Sequence, residues 1–269
     1  MLEKINEAIS HIRAKGVLRP EIGIILGTGL GQMVSEIESI IEIDYADIPH
    51  FPVSTVESHK GRLIYGTIQN KTVLAMQGRF HYYEGYSLQE ITFPVRVMKL
   101  LGIKYLLISN AAGSMNPEFK KGDLMLLDDH INFLPDNPLR GKNHDNLGPR
   151  FPDMSQPYSK ELNNTFIQVS KQLDIDLKKG VYVAVMGPNL ETRAEYRMFR
   201  QFADAVGMST VPEVIVANQM TLPCAAISVL TDECDPDNLK PAILDEILAV
   251  AEKAEKKLTK LFVHVIKQI

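Results

Sequence analysis

Residues Lys71 to Tyr86 read KTVLAMQGRFHYYEGY. The apolar, partly β-branched run Val73-Leu74-Ala75-Met76 predicts a buried strand of the kind found in parallel sheets. It empties, between Gly78 and Gly85, into a segment carrying Arg79, His81, Tyr82, Tyr83 and Glu84. An arginine at the end of a buried strand offers a rigid fork of donors suited to an oxyanion, and the histidine and tyrosines beside it can hold a small polar ring. The plainer reading is a solvated loop whose aromatics fold back on the core. Functional residues, however, concentrate on loops that a rigid scaffold positions.

Outward from this stretch the same figure recurs. Ile22–Leu26 reads as a buried strand running into Gly27-Thr28-Gly29-Leu30-Gly31 and an expected helix, an arrangement that lets backbone N–H groups and a hydroxyl approach an anion. A tight strand-to-helix turn explains the glycines equally well, and their spacing lacks the full dinucleotide-binding pattern. Arg62–Ile68 is another expected strand, preceded by a polar loop in which His59 is read as exposed. Tyr105–Ser109 leads into Asn110-Ala111-Ala112-Gly113-Ser114, small residues that leave room at the carboxyl edge of a sheet, where open α/β sheets bind substrates. Asp123–Asp128 leads into Asp129-His130, with His130 read as structural.

Val181–Met186 ends in Gly187–Arg193, where Glu191 by itself suggests a helix-start carboxylate. Ala203–Met208 leads into Ser209–Glu213, whose hydroxyls and proline suggest a helix start. Leu222–Leu230 runs into Thr231-Asp232-Glu233-Cys234-Asp235. Helical spacing predicts helices from Leu2 through Ile12, over Leu88–Leu101, over Ser159–Leu173 and over Pro241–Ile266. Strands alternating with helices make an α/β chain, and no repeat or linker divides it, so residues 1–269 are read as a single domain. Phe133–Pro157 is a long irregular excursion, of a size that tends to be functional or to sit at subunit contacts.

The composition narrows the function. With 269 residues, 45% hydrophobic and 23% charged, the chain is ordinary for a soluble globular protein. A net charge of −4 with no basic block favours neither nucleic acid nor a membrane surface as partner. The N-terminus has helical spacing and acidic residues where a signal peptide needs an apolar core, and no apolar run reaches spanning length. Cys224 and Cys234 make neither a metal-ligand set nor a disulfide framework, so the cytoplasm is the expected compartment.

Six strand-ending segments, each with polar or small residues, together point to one substrate pocket. They also resemble the trimeric purine nucleoside phosphorylases. The likeness lies in Gly27-Thr28-Gly29-Leu30-Gly31, Ser54-Thr55-Val56 with His59, Gln77-Gly78-Arg79-Phe80-His81 with Tyr83-Glu84-Gly85-Tyr86, and Asn110-Ala111-Ala112-Gly113. It continues in Arg150–Ser155, Gly187-Pro188 with Glu191-Thr192, and Val206–Glu213, and so runs from about Ile22 to Asp232. The resemblance implies a twisted mixed sheet surrounded by helices, assembled as a homotrimer. It implies cleavage of purine nucleosides by inorganic phosphate, a co-substrate, with no metal or organic cofactor. By position, Thr28, Arg79, His81, Ser209 and the backbone of Ala111 would bind phosphate, and Tyr83, Met208 and His59 would hold the sugar. Glu191 and Asp232 would face the purine, with His81, Glu191 and Asp232 as the catalytic groups.

Three positions depart from that pattern. Members restricted to 6-oxopurines typically carry asparagine where Asp232 stands; aspartate resembles the 5'-methylthioadenosine phosphorylases, which in turn lack a glutamate at Glu191. Two carboxylates sharing a partly dry pocket should raise the proton affinity of one, which would let Asp232 donate. The position of a last-helix histidine that meets the sugar 5'-hydroxyl falls at Leu244, and that of an aromatic lent by the neighbouring subunit falls at Leu147. The expected activity is therefore phosphorolysis of inosine and guanosine with some adenosine use. The alternatives are a 5'-methylthioadenosine phosphorylase, a purine-nucleoside-binding protein without catalysis, and a dinucleotide-binding module.

Overall fold

A computed structural model describes residues 1–28, 30–56 and 59–269, with Ser39 and Ile40 described by backbone alone. Gly29 of the glycine string, and Glu57 and Ser58 ahead of His59, lie outside the described residues. Among the described residues nine strands form one sheet: β1 Ile22–Leu26, β2 Glu38–Asp44, β3 Arg62–Ile68, β4 Lys71–Gln77, β5 Tyr105–Ser114, β6 Leu124–Asn132, β7 Leu177–Ala184, β8 Ala205–Gly207 and β9 Cys224–Glu233. Their spatial order is β2-β3-β4-β1-β5-β8-β7-β6-β9, and β9 returns to pair with β5. Thus β5, β8, β7, β6 and β9 close a ring, from which β1, β4, β3 and β2 extend as a wing. The sheet is mixed: β1 is parallel to β4 and β5, and β5 to β9, whereas β8 pairs with β5, and β6 with β9, in antiparallel fashion.

The strands predicted from apolar runs are those buried on both faces; every residue of β1 is buried. One face is covered by α1 (Leu2–Ala14), α3 (Phe93–Leu101) and α6 (Val211–Gln219), through Ile5, Ile12, Met98 and Val214 among others. The other is covered by α4 (Lys160–Gln172) and α7 (Leu244–Ile266), through Phe166, Leu258 and Phe262. Two short helices, α2 (Leu88–Ile91) and α5 (Arg193–Phe199), lie at the ends of connections.

Several expectations change. The helix expected over Leu88–Leu101 is broken at Thr92, because Pro94 carries no N–H to continue the ladder; the Thr92 backbone N–H and hydroxyl both donate to the Leu88 carbonyl, the hydroxyl at 2.7 Å. The glycine string opens onto a five-residue 3-10 turn, Gln32–Glu36, rather than an α-helix. Strand β2 has no counterpart in the sequence reading: it is an edge strand paired only with β3, and it carries the charges Glu38, Glu42 and Asp44. The last helix begins at Leu244, since the backbone at Ile243 is still extended.

The expected loops after the strands at Tyr105, Asp123 and Leu222 are in fact strand. Asn110–Ser114 belongs to β5, Asp129 and His130 to β6, and Thr231–Glu233 to β9. Partners decide this, because Asn110 through Ser114 are paired with β9 and Gly113 and Ser114 also with β8. His130 is structural, as expected, with Nδ1 3.1 Å from the Tyr158 hydroxyl.

Candidate active site

At the end of β4 the chain turns at Gly78, whose φ of +109° and close approach to His59 exclude a side chain. Arg79 follows, 1% exposed. Its Nε donates to Glu213 Oε1 on α6 at 3.1 Å and its Nη1 to Ser209 Oγ at 3.1 Å, while Nη2 has no protein partner among the described residues. A buried guanidinium fixed at two corners aims its third at one place. Ser209 is set from behind by its own N–H, which donates to the buried Tyr182 hydroxyl at 3.3 Å. Thr210, at φ +66°, is strained and held by Asn110 Nδ2, which donates to its hydroxyl at 2.9 Å. Gly27 lies so close to β5 that a Cβ would stand 2.8 Å from the Ser109 carbonyl and 3.4 Å from Arg79 Nη1. Glycine there lets the β1 turn reach the same spot.

Beside Arg79 three rings stack in series, His59 on His81 at 5.4 Å and His81 on Tyr83 at 4.7 Å between centroids. Glu84 orders them: one carboxylate oxygen takes the His81 backbone N–H at 2.8 Å and lies 2.9 Å from His81 Nδ1, and the other takes Thr55 N–H and hydroxyl. Burial alone would raise the Glu84 pKa, but the hydrogen bonds from His81 and Thr55 hold it at about 2. With its Nδ1 engaged by Glu84, His81 lines the cleft. His59 is not the exposed loop histidine expected; it is 8% exposed. It packs behind the cleft wall, with Nε2 3.3 Å from the Thr28 hydroxyl and Nδ1 against the Arg79 backbone. Burial, then the charges of His81 and Arg79, push its pKa down to about 4, so the ring is neutral at neutral pH.

The opposite end of the cleft is built on β9. Its register against β5 slips between Ala112 and Gly113, leaving Thr231 as an extra residue. That bulge turns Asp232 into the cleft opposite Gly113. Thr231 Oγ1 donates to Asp232 Oδ1 at 2.8 Å, and the Cys234 thiol to Asp232 Oδ2 at 3.2 Å. Glu191, before α5, faces the same space; the start of that helix is capped by Thr192 and Glu195 instead. Burial, with the charge of Asp232 adding to it, raises the Glu191 pKa above the usual carboxylate range, and the Tyr196 hydroxyl works against the rise. The pocket thus lifts the proton affinity of Glu191.

One cavity of about 150 Å³ touches Thr28, Arg79, His81, Tyr83, Ala111, Met208, Ser209, Glu191 and Asp232, all the expected site residues except His59. It opens past Glu191 and Asp232 into a mouth of about 610 Å³ beneath Pro241–Ile247. Leu244 lines neither space, being exposed at the first turn of α7; Ile247 on the next turn lines both. Leu147 is buried in its own chain's core. Sequence reasoning missed Glu213, Tyr182, Tyr196 and Cys234, whose part is to hold other residues. Only the capping spacing of His81 and Glu84 carried a local signal.

A profile of the phosphorylase superfamily matches residues 21–267. Purine nucleoside phosphorylase 1 of Bacillus subtilis is 48% identical over 269 residues, covering 100% of this chain and 99% of that protein. The structure of isoform 2 of purine nucleoside phosphorylase from Schistosoma mansoni, in complex with cytosine and ribose-1-phosphate, superimposes with a TM-score of 0.95 at 40% identity, covering 99% of this chain and 96% of that one. A Schistosoma mansoni purine nucleoside phosphorylase in complex with adenosine matches with a TM-score of 0.94 at 38% identity, over 100% and 98% of the two chains.

Proposed function

Because the chain belongs to the phosphorylase superfamily and, within it, to the purine nucleoside phosphorylases, it cleaves purine nucleosides with inorganic phosphate, and we propose that the cleft between Arg79 and Asp232 is where it does so. The observation that carries this reading is the cleft's polarity: a fixed guanidinium and serine hydroxyl at one end, two carboxylates at the other. Rupture of the glycosidic bond builds positive charge on the sugar and negative charge on the departing base. Phosphate held by Arg79, Ser209, Thr28, His81 and the Ala111 backbone serves as nucleophile and as counter-charge to the sugar. Tyr83 and Met208 hold the ribose between the two ends, and His59 steadies Thr28 and Arg79 without touching it.

At the base end, ionised Glu191 accepts from the N1–H of a 6-oxopurine. Asp232, fixed by the Thr231 hydroxyl and the Cys234 thiol, presents acceptor oxygens, and that acceptor character admits the 6-amino group of adenosine. The preference is for inosine and guanosine, with adenosine as a lesser substrate. No metal or organic cofactor takes part, phosphate being the second substrate. The enzyme works as a homotrimer, for which exposed Phe133, Met198 and Phe202 around the Phe133–Phe199 contact supply apolar surface. It works in the cytoplasm, in keeping with two free, buried cysteines.

Release of free base from inosine, adenosine and 5'-methylthioadenosine, each with and without phosphate, tests the reading. Phosphate-dependent cleavage with inosine ahead of adenosine is expected. Cleavage confined to the 6-amino substrates would overturn the base assignment.

A further inference from the structure

On α3, Arg96 is 5% exposed and has no carboxylate partner among the described residues. Its Nη1 donates to Gln219 Oε1 at 2.9 Å, and its Nε is buried without a partner among the described residues. Gln219 cannot turn to relieve this, because its amide nitrogen is engaged by Asn143 Oδ1 and the Pro149 carbonyl, both at 3.2 Å. Burial alone acts on the guanidinium, lowering its pKa to about 10, with no anionic group opposing. An uncompensated buried charge is costly, and such groups are ordinarily paired or coordinated.

The cavity that Arg96 lines has a volume of about 60 Å³. Arg140, Lys142 and the imidazole of His144 also line it, and among the described residues no aspartate or glutamate does. Arg140 brings its own counter-ion, with Nε 2.6 Å from Asp136 Oδ1, whereas Lys142 makes no ion pair among the described residues. One ordered water needs roughly 10–15 Å³ on this measure. The space therefore suits one small tetrahedral anion and excludes a nucleotide.

We propose that this cavity is a second oxyanion site, separate from the catalytic cleft, which takes inorganic phosphate between the Arg96 guanidinium and the side chains of Lys142 and His144. The two sites share no lining residue. They are nonetheless adjacent in the chain, because α2, whose Gln89 donates to the Arg140 carbonyl at 3.0 Å, begins directly after the segment that carries His81, Tyr83 and Glu84.

Equilibrium dialysis of the full-length enzyme against labelled inorganic phosphate tests this without relying on turnover. The wild type should bind two phosphates per chain. The double variant Lys142→Glu, His144→Glu, made at side chains outside the core, should bind one and keep its phosphorolysis rate, and Arg79→Gln should also bind one. A stoichiometry of one in the wild type, or of two in the Lys142/His144 variant, would overturn the second site. Loss of the cleft phosphate reading would show separately, as two phosphates bound by Arg79→Gln.

Discussion

Arg79 and Glu213, 134 positions apart in sequence, form an ion pair of 3.1 Å with both side chains almost wholly out of solvent. The pair makes the guanidinium a fixed element of the cleft, and it leaves the second Glu213 oxygen buried without a partner among the described residues. Removing one partner of such a pair strands the other charge, at a cost of roughly 3–5 kcal/mol. Glu213→Ala should therefore lower stability by about that amount and raise KM for phosphate more than KM for inosine, as denaturant unfolding and two-substrate kinetics would reveal. Equal increases in both KM values would count against Glu213 as the orienter of Arg79.

The raised pKa of Glu191 gives base choice a pH dependence. In the proposed base contact the ionised carboxylate would accept from N1–H of inosine, whereas the protonated form would donate to the bare N1 of adenosine. The adenosine-to-inosine ratio of kcat/KM should climb as pH falls towards the carboxylate range, and Glu191→Gln should flatten that dependence. A ratio constant with pH in the wild type would remove the protonated form from the account.

Asp232→Asn replaces one acceptor oxygen with a donor. Adenosine kcat/KM should fall about tenfold, the worth of roughly 1.4 kcal/mol for one hydrogen bond, while inosine is spared or improves. Cys234→Val, which removes the thiol donor to Oδ2, should move the same ratio in the same direction by less. Parallel losses on both substrates would assign Asp232 to structure alone.

A Cβ on Gly113 would stand 2.5 Å from Cys234 Sγ and 3.2 Å from Asp232 Oδ2. Gly113→Ala should displace the carboxylate, costing base discrimination while leaving KM for phosphate within about twofold. Comparison of phosphate and nucleoside kinetics in this variant separates the two ends of the cleft.

His59 is neutral in the fold, with a pKa of about 4 against 6.5 for the free side chain. A depressed folded value means the unfolded chain binds the extra proton, so the contribution to stability is present above pH 6.5 and is lost as pH falls through 4. Complete loss amounts to roughly 3 kcal/mol at about 1.4 kcal/mol per pH unit. Melting temperature should decline over that window, and His59→Asn should shrink the decline.

The strands were legible because burial on both faces demands unbroken apolar runs, as in Ile22–Leu26. Their ends were not, because Asn110-Ala111 and Thr231-Asp232 are polar or small and become strand only through each other's pairing. Edge strand β2, with three of its seven residues charged, escaped for the opposite reason. Among the cleft residues, Arg79, His81, Ser209, Glu191 and Asp232 were recognisable from segments that resemble a family. Glu213, Tyr182, Tyr196 and Cys234 hold those residues in place, and that role exists only in tertiary proximity. His59 deceived because a loop flanked by polar residues gave no hint that Gly78 would press against it.

That β5 continues as strand through Ser114 gives the cleft a built-in ruler. Asn110, which braces Thr210 at the phosphate end, and Gly113, which faces Asp232 at the base end, stand three residues apart on it. At about 3.3 Å per residue, that separation is roughly 10 Å. On the proposed reading, attacking and departing groups would thereby be spaced by covalent geometry rather than by loop closure, so that a change of specificity at the β9 end could accumulate without recalibrating the Arg79 end.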